Sequence, residues 1–501
     1  MKTPRIFTVG AACLAPIVAT CAQAESVRQI GGYFESDARM SLSGREPEWT
    51  FMRLDNTARL KAELGAGDVS AHGDFALIYR SFSRAGTLAE LEGREATDPF
   101  SLESDALYLE IQNLGLERLD LRLGRQILRW GSADRFNPTS VVNPLDLEDP
   151  LKFGDRVPNE MAVLSYQAPW SVAGDDITIF DELTFTAVAV PVHRPGQLPA
   201  SSRLVFEDPS LFVQFVDSPA IDKYAGLLTT FADKGGKIAY DDHVEGPSAK
   251  AENLQYGGRI SATVLGVDLG AMYFHGYADS LQIQDVSGTF GIPGVQVDLD
   301  NPDSLAGLQA ALDALDDLSS LPPQQVALVM GYPEVDVLGG DLATSLDFLG
   351  GLGLWAEVAA YQHDQMDLSL NFGSERKERL FDEGHYVKYV IGTDYSFTPW
   401  WYINVQFLHG FVDEFGGRNL ENYMVAGSDL KFFNDQMTLR LFGIVSLADQ
   451  SFVLYPNVMN RFWDNTEVGV GAFILHGDEK TKFGRVVTGP SQLFVTARYS
   501  Y

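Results

Sequence analysis

Apolar and polar residues alternate at every second position over much of the chain. In residues 53–64 the even positions are mostly leucine and alanine, whereas the odd positions are charged or polar. Comparable runs recur at 69–79, 269–277 and 387–395. Period two is the spacing of a β-strand, because successive side chains point to opposite faces. A tilted strand of about nine to eleven residues crosses the hydrocarbon layer of a membrane, so these runs predict membrane-crossing strands.

The connections between the predicted strands alternate in length. The short ones are expected at 65–68, 113–116, 265–267, 348–350, 399–400 and 434–436. The long ones are expected at 82–103, 131–158, 194–251, 279–330 and 363–384. Bacterial barrels have short periplasmic turns and long external loops, whereas nothing in a soluble β-sandwich requires this alternation. The sequence therefore predicts an all-β, antiparallel transmembrane β-barrel of about 18 strands, in a range of about 16 to 18.

The first residues have the features of a secretory signal. Basic Lys2 and Arg5 precede an apolar stretch, and alanines 22 and 24 form a small-x-small cleavage pattern. We expect residues 1–24 to be a cleaved signal peptide and residues 25–501 to be one outer-membrane barrel. Both cysteines lie in the segment predicted to be removed, so the mature protein is expected to have no disulfide or thiolate metal site.

The C-terminal segment indicates how the barrel is assembled. Residues 492–501 alternate between apolar and polar positions and end on Tyr501. Outer-membrane barrels typically finish on an aromatic residue that the barrel-assembly machinery recognises, and Tyr501 is predicted to be that signal. The expected location is the cell outer membrane, reached through the periplasm. The expected partners are outer-membrane lipids, lipopolysaccharide and the assembly machinery.

The net charge restricts the other partners. The chain has 37 basic and 68 acidic residues, and the acidic excess is concentrated in the long links. A protein this acidic repels nucleic acid at long range, so no nucleic-acid partner is expected.

The polar strand faces predict a water-filled interior. Both signs of charge occupy these faces, as expected for a lumen wall rather than for a dry core. About eighteen strands also enclose more space than wall side chains alone can fill. The basic residues predicted by parity to line the lumen are Arg53, Arg59, Lys61, Arg122, Arg259, Lys388 and Arg440.

One strand and the long link that follows it hold a dense group of polar residues with one large aromatic ring. Arginines that face carboxylates across a lumen could bind charged or polyhydroxylated solutes, and an indole adds a flat apolar surface. The same groups could instead pair with one another and brace the barrel, and both roles remain open. The predicted constriction residues are Arg125, Gln126, Arg129, Trp130, Asp134, Arg135, Asn137, Asn143 and Asp146.

This segment also carries a resemblance. Gly124-Arg125-Gln126, Trp130-Gly131 and Asn143-Pro144-Leu145-Asp146 match the Gly-[Arg/Asn]-Gln…Trp-Gly…Asn-Pro-x-Asp pattern of an uncharacterised family of porin-like outer-membrane barrels. The chain is also loosely similar to alginate-export porins, which carry Gly-Arg-Gln on a strand. The resemblance implies an envelope channel, which in some members accompanies inner-membrane export pumps for hydrophobic compounds.

The sequence shows one clear helix signal and no clear motif for a metal site, a cofactor site or an enzyme active site. Residues 302–319 carry a leucine stripe at helical spacing, so a helix is predicted there, either as a lid over the mouth or packed on neighbouring loops. Histidines 275, 409 and 476 each precede glycine at the end of an outward-running strand. They belong to separate strands and are predicted to lie at the membrane interface, so no metal site and no cofactor are expected. Enzyme motifs are absent, and no catalytic residue is predicted.

These observations predict an outer-membrane channel of porin or exporter type, with a charged lumen through which solutes pass. Two alternatives remain. The barrel could be plugged and serve as a surface binding or structural protein, or it could be the outer-membrane partner of an export system for hydrophobic compounds or polysaccharide.

Overall fold

The computed structural model describes residues 27–42, 50–83, 85, 87–173, 178–198, 219–279, 281–289, 302–314, 317–371, 375–478, 481–484 and 489–501. The predicted signal peptide lies outside these residues.

Twenty-four strands form two sheets in the described part of the chain. In chain order they are β1 (Val27–Leu42), β2 (Thr50–Ala66), β3 (Val69–Arg80), β4 (Phe100–Ile111), β5 (Leu119–Gln126), β6 (Asn159–Gln167), β7 (Val172–Ala173), β8 (Thr178–Val190), β9 (Ile238–Glu245), β10 (Gln255–Val264), β11 (Val267–Tyr277), β12 (Gln282–Thr289), β13 (Gln324–Gly331), β14 (Glu334–Leu346), β15 (Leu352–His363), β16 (Met366–Asn371), β17 (Glu375–Phe381), β18 (Gly384–Thr398), β19 (Trp401–His409), β20 (Asn422–Phe432), β21 (Met437–Ser446), β22 (Phe452–Trp463), β23 (Thr466–His476) and β24 (Ser491–Ser500). Described helices are α1 (Arg94–Thr97), α2 (Pro219–Asp233) and α3 (Pro302–Asp313).

The large sheet closes on itself. It has 19 strands, of which the two-residue β7 only flanks β8, and the other eighteen form an antiparallel ring because β1 pairs with β24. Tyr501 continues this seam, since its backbone N–H donates to Gly32 O at 3.0 Å and its carbonyl accepts from Gly32 N at 3.2 Å. The predicted transmembrane barrel and its strand number are confirmed.

Strand register gives the barrel its two faces. Directly paired residues point to the same side, so leucines 60 and 64 on β2, Leu123 on β5 and Val470 on β23 belong to one outward apolar surface. On the opposite face, cross-strand ion pairs follow the lumen, as in Arg59–Asp74 and Arg440–Asp429. This is the apolar-out, polar-in pattern of a transmembrane barrel.

The longest links contain a second sheet, which the sequence analysis did not predict. Strands β17, β16, β12, β13 and β9 pair in that order, and β9–β13 and β12–β16 are parallel. Parallel pairing joins strands from different links, so no hairpin pattern marks it along the sequence. We call these five strands with α2 and α3 the outer subdomain.

Helix α3 is shorter than the predicted 302–319 and ends at Asp313. Its Leu308 and Leu312 are fully buried in the core of the outer subdomain, together with Phe231 of α2 and Val326 of β13. The two described leucines of the stripe thus pack on neighbouring links, which is the second of the two roles considered for it.

No helix among the described residues is long and apolar enough to cross a membrane.

Candidate functional site

The link between β5 and β6, residues 127–158, turns into the barrel where it leaves the wall after Gln126. Trp130 and Phe136 on this segment are 3% and 1% exposed, and they pack against wall residues from many strands. We call residues 127–158 the inner segment. Its apolar side chains fill lumen space that strand side chains cannot reach in a barrel of this size.

The inner segment packs tightly against one side of the barrel. Trp130 and Val142 share a buried cluster with wall residues Val163 of β6, Val188 of β8 and Val337 of β14. Close packing of this kind excludes water. The barrel strands described on this side, β6, β8, β10, β11, β14, β15 and β18, therefore face a filled part of the lumen.

Glu357 of β15 anchors the middle of the inner segment. Its carboxylate is buried and accepts hydrogen bonds from Ala133 N, from Asn137 Nδ2 at 3.0 Å and from Thr139 Oγ1 at 2.8 Å. Gly131 makes this approach possible, because its φ is +92° and a Cβ there would lie 2.3 Å from the carboxylate. A charged acceptor with several donors is among the stronger contacts available inside a protein.

Asn143 holds the two ends of the inner segment together. Its Oδ1 accepts from Leu128 N at 2.8 Å, and its Nδ2 donates to Gln126 O at 3.1 Å and Val157 O at 3.0 Å. Its own carbonyl accepts from the buried Arg156 at 3.1 Å. Asn143 is fully buried, so its amide braces the segment.

A third anchor ties the inner segment to the first two strands. Arg39 of β1 donates two hydrogen bonds of 2.6 Å to the Asp149 carboxylate, and Arg53 of β2 adds one of 3.1 Å. Burial alone would raise the pKa of Asp149, but the bonds from Arg39 hold that pKa below its ordinary value. The carboxylate thus remains ionised between two guanidinium groups.

A cavity of about 1110 Å³ occupies the remaining part of the lumen. On one side it is bounded by the inner segment, from Asp134 to Phe153, and on the other by inward-facing residues of β1, β2 and β19 to β24. Phe411 and Phe483, from the links after β19 and β23, reach into the same space. The open passage is therefore offset toward the seam of the barrel.

The charged residues around this cavity are mostly paired with one another. The described lining has five cationic and five anionic side chains. Arg39 and Arg53 bind Asp149, as described above. Arg440 binds Asp429 at 2.6 Å, and Lys482 binds Asp413 at 2.7 Å.

Asp134 and Arg135 differ from these pairs. Both are exposed at the cavity, and neither forms an ion pair with another residue in the described ranges. Among the described residues Arg135 donates to Phe153 O alone, at 3.3 Å, and it has a φ of +65°. A non-glycine residue in the left-handed region is uncommon, and here it projects an arginine into the passage.

The predicted constriction residues occupy several different places. Gln126, Trp130, Asn137 and Asn143 are buried or partly buried where the inner segment meets the wall. Arg129 is exposed beside Trp130. Asp146 is partly buried, and its Oδ1 accepts from Glu148 N at 3.1 Å.

Arg125 requires a correction. Register pairs it with Leu107 of β4 and Glu160 of β6, and Leu107 is 56% exposed on the outward surface. Arg125 therefore lies on the outer face and not in the lumen. Its Nε donates to Ser104 O at 2.6 Å, and its Nη1 donates to Glu160 at 3.1 Å.

The predicted wall residues face inward by register, and most contact other protein groups. Arg259 forms a bidentate pair with Asp341 at 2.5 and 2.9 Å, and Lys61 lies 3.3 Å from Asp74. Lys388 is buried and donates to Phe411 O at 2.8 Å. Arg122 lies on the same face as Glu110, its partner in register on β4.

Several residues of the site were not identified from sequence. Glu357, Asn404 and Asn457 alternate with apolar residues along their strands, so parity could have placed them in the lumen. Phe411 and Lys482 lie in links, and no periodicity marks their direction. Lys482 also stacks over the Phe411 ring, 4.9 Å from its centroid.

Within the described ranges, no group of three or more histidine, cysteine, aspartate or glutamate side chains is placed to hold a metal ion. The three histidines that precede glycine each contact an aromatic ring across the strand pair. His275 lies 5.0 Å from the Tyr256 ring, His409 lies 5.1 Å from Tyr389, and His476 lies 4.8 Å from Phe452.

No family model matches the chain, and no curated protein matches it in sequence. Among solved structures, it is similar to Acinetobacter baumannii OccAB1 at 8% identity, covering 95% of this chain and 97% of that one with a TM-score of 0.47. The outer membrane channel DcaP of the same organism is 10% identical over 96% and 99%, with a TM-score of 0.38. Salmonella typhi OmpF, in complex with daunomycin, is 11% identical over 95% and 97%, with a TM-score of 0.36. Nothing about function follows from likeness at this level.

Proposed function

We propose that this protein is an outer-membrane channel of porin type, and that solutes pass along the cavity between the inner segment and strands β19 to β24. The observation that carries the proposal is the cavity itself. A closed barrel with an apolar outer surface encloses about 1110 Å³ of space lined by charged, amide and aromatic side chains. A barrel that served only as an anchor would not need such a space.

Asp134 and Arg135 are the residues best placed to act on passing ions. A unit charge about 6 Å from an ion in water changes its energy by about 0.7 kcal/mol, and screening in about 0.1 M salt leaves roughly a twofold effect on occupancy. The paired cations contribute less, because each is offset by a neighbouring carboxylate.

Planar-bilayer recording of the refolded protein tests the proposal. We expect stable conductance steps. Arg135→Ala should shift the reversal potential in a salt gradient toward cation preference, and Asp134→Asn should shift it toward anion preference, by roughly twofold in permeability ratio. Arg125→Ala is the matched control, because this arginine lies on the outer face. A folded, heat-modifiable protein that gives no conductance would refute the channel and favour a plugged surface protein.

A further inference from the structure

We infer that the lumen cavity preferentially binds uncharged aromatic solutes that carry one or two hydroxyl groups. This inference rests on the proposed channel function and specifies the class of solute.

Aromatic rings form much of the cavity lining. Phe442, Tyr455 and Phe473 project from the wall, and Phe153, Phe411 and Phe483 face them from the links. The link rings already contact one another, with centroids 5.6 Å apart for Phe153–Phe411 and 5.9 Å for Phe411–Phe483. Flat apolar molecules pack well on such surfaces in offset or edge-to-face arrangements.

Two buried asparagines in the lining have an amide oxygen without a partner in the described part of the chain. Asn404 and Asn457 line the cavity and are 8% and 6% exposed, and the Oδ1 of each has no hydrogen-bond partner among the described residues. The Asn404 Oδ1 lies against Gly427, since a Cβ there would lie 2.7 Å from this oxygen. A buried amide atom without a partner is costly, so it favours a ligand that supplies one.

A hydroxyl group suits these amides. It both donates and accepts, so it pairs with whichever amide atom faces it. Water can take this place in the empty passage. A phenolic solute would keep the hydrogen bond while its ring displaces water from the aromatic surfaces, which is favourable.

The charged groups of the lining favour an uncharged solute. Four of the five cations in the lining are already bound to carboxylates, so an ionic solute would lose hydration without gaining a comparable partner. Asp134 and Arg135, of opposite charge, are adjacent, and together they provide a dipole with no net charge. Two buried amide oxygens without a partner among the described residues, set among many rings, also suit a large apolar body with few hydroxyls better than a sugar, which needs many polar partners.

Binding can be measured with the full chain in lipid nanodiscs by titration calorimetry, with empty nanodiscs subtracted. The probes are 2-naphthol, naphthalene, 2-naphthoate and maltose. We expect 2-naphthol to bind at least about tenfold more tightly than each of the other three. If naphthalene binds as tightly as 2-naphthol, the hydroxyl group contributes nothing and the solutes only partition into an apolar space, which would overturn the inference. Tighter binding of 2-naphthoate or maltose than of 2-naphthol would also overturn it. This comparison requires no variant.

Variants then locate the site. The Asn404→Leu/Asn457→Leu double variant should weaken 2-naphthol binding at least about tenfold, and Gly427→Ala should weaken it by displacing the Asn404 side chain. Asn460→Leu, on β22 like Asn457 but on the opposite face, is the matched control. If none of these variants changes 2-naphthol binding, the inference is wrong. Conductance is recorded separately: its absence would refute the channel, whereas calorimetry alone decides the solute class.

Discussion

Replacing Glu357 with leucine should release the inner segment from the wall at its midpoint. Four donors on three residues lose a charged acceptor that is 2% exposed: Ala133 N, Asn137 Nδ2, and both the N and the Oγ1 of Thr139. Hydrogen bonds to charged groups contribute about 1.5 to 3 kcal/mol each, and removing one partner of a buried charged network costs about 3 to 5 kcal/mol. We expect a loss within that range, because Thr139 is fully buried and water is excluded from the packed side of the lumen where the freed donors lie.

Two measurements on the same protein separate release of the segment from general destabilisation. The temperature at which the folded form disappears on gels should fall. Single-channel conductance should rise and become noisier, because residues 132–139 would no longer be held against the wall. The isosteric Glu357→Gln variant should have a heat stability and a conductance between those of the wild type and Glu357→Leu. Its amide oxygen still accepts hydrogen bonds, but its NH2 group faces donors of the inner segment and cannot bond to them.

Asp341→Leu supplies the matched control. Asp341 is an inward carboxylate on the neighbouring β14, and it binds Arg259 rather than the inner segment. Its loss should lower heat stability and leave the size of the conductance step unchanged. Wild-type conductance in the folded Glu357→Leu protein would refute the role of Glu357 as the anchor of the segment.

The remaining predictions concern the bend at Gly131, Arg125 on the outer face, His193 in the link after β8, and the topology of the barrel. Gly131→Ala should lower the free energy of unfolding by about 2 kcal/mol or more, because φ is +92° and the added Cβ would lie 2.3 Å from a carboxylate oxygen of buried Glu357. An unchanged heat stability would contradict this. Arg125→Ala should also lower heat stability, since it leaves the Ser104 carbonyl without its 2.6 Å donor, and altered ion selectivity would show that the register places this residue wrongly. Burial lowers the pKa of His193 from 6.5 to about 4. Its contribution to the free energy of unfolding, about 3 kcal/mol at most, is therefore fully present above pH 6.5 and is lost as the pH falls toward 4. His193→Phe should flatten the heat stability measured between pH 6.5 and 4, and an unchanged profile would exclude this histidine as its source. In intact cells Ser248→Cys should react with an impermeant maleimide and Leu265→Cys should not; equal labelling would overturn the assignment of the two barrel ends.

The sequence alone determined the features that repeat locally. Alternation over residues 53–64 specified one apolar and one charged face, because a strand has a fixed period of two. The difference between the 265–267 turn and the long links specified which connections share an end, because antiparallel strands alternate in direction. Parity also places Arg125 with Leu121 and Leu123 on the outward face. The interpretation of its motif as part of a constriction overrode that pattern and was wrong.

Tertiary structure decided which distant residues meet. Glu357 lies more than 200 positions from the donors it binds on the inner segment, and nothing in the spacing of either stretch indicates the other. The outer subdomain likewise joins β9 to β13 in parallel, and that pairing depends on the paths of two separate links. A strand's period is set by its own backbone. The course of a link inside a closed barrel is set by the packing and ion pairs that the whole wall offers, so the position of the cavity and the orientation of Arg135 could be seen only once the barrel had closed.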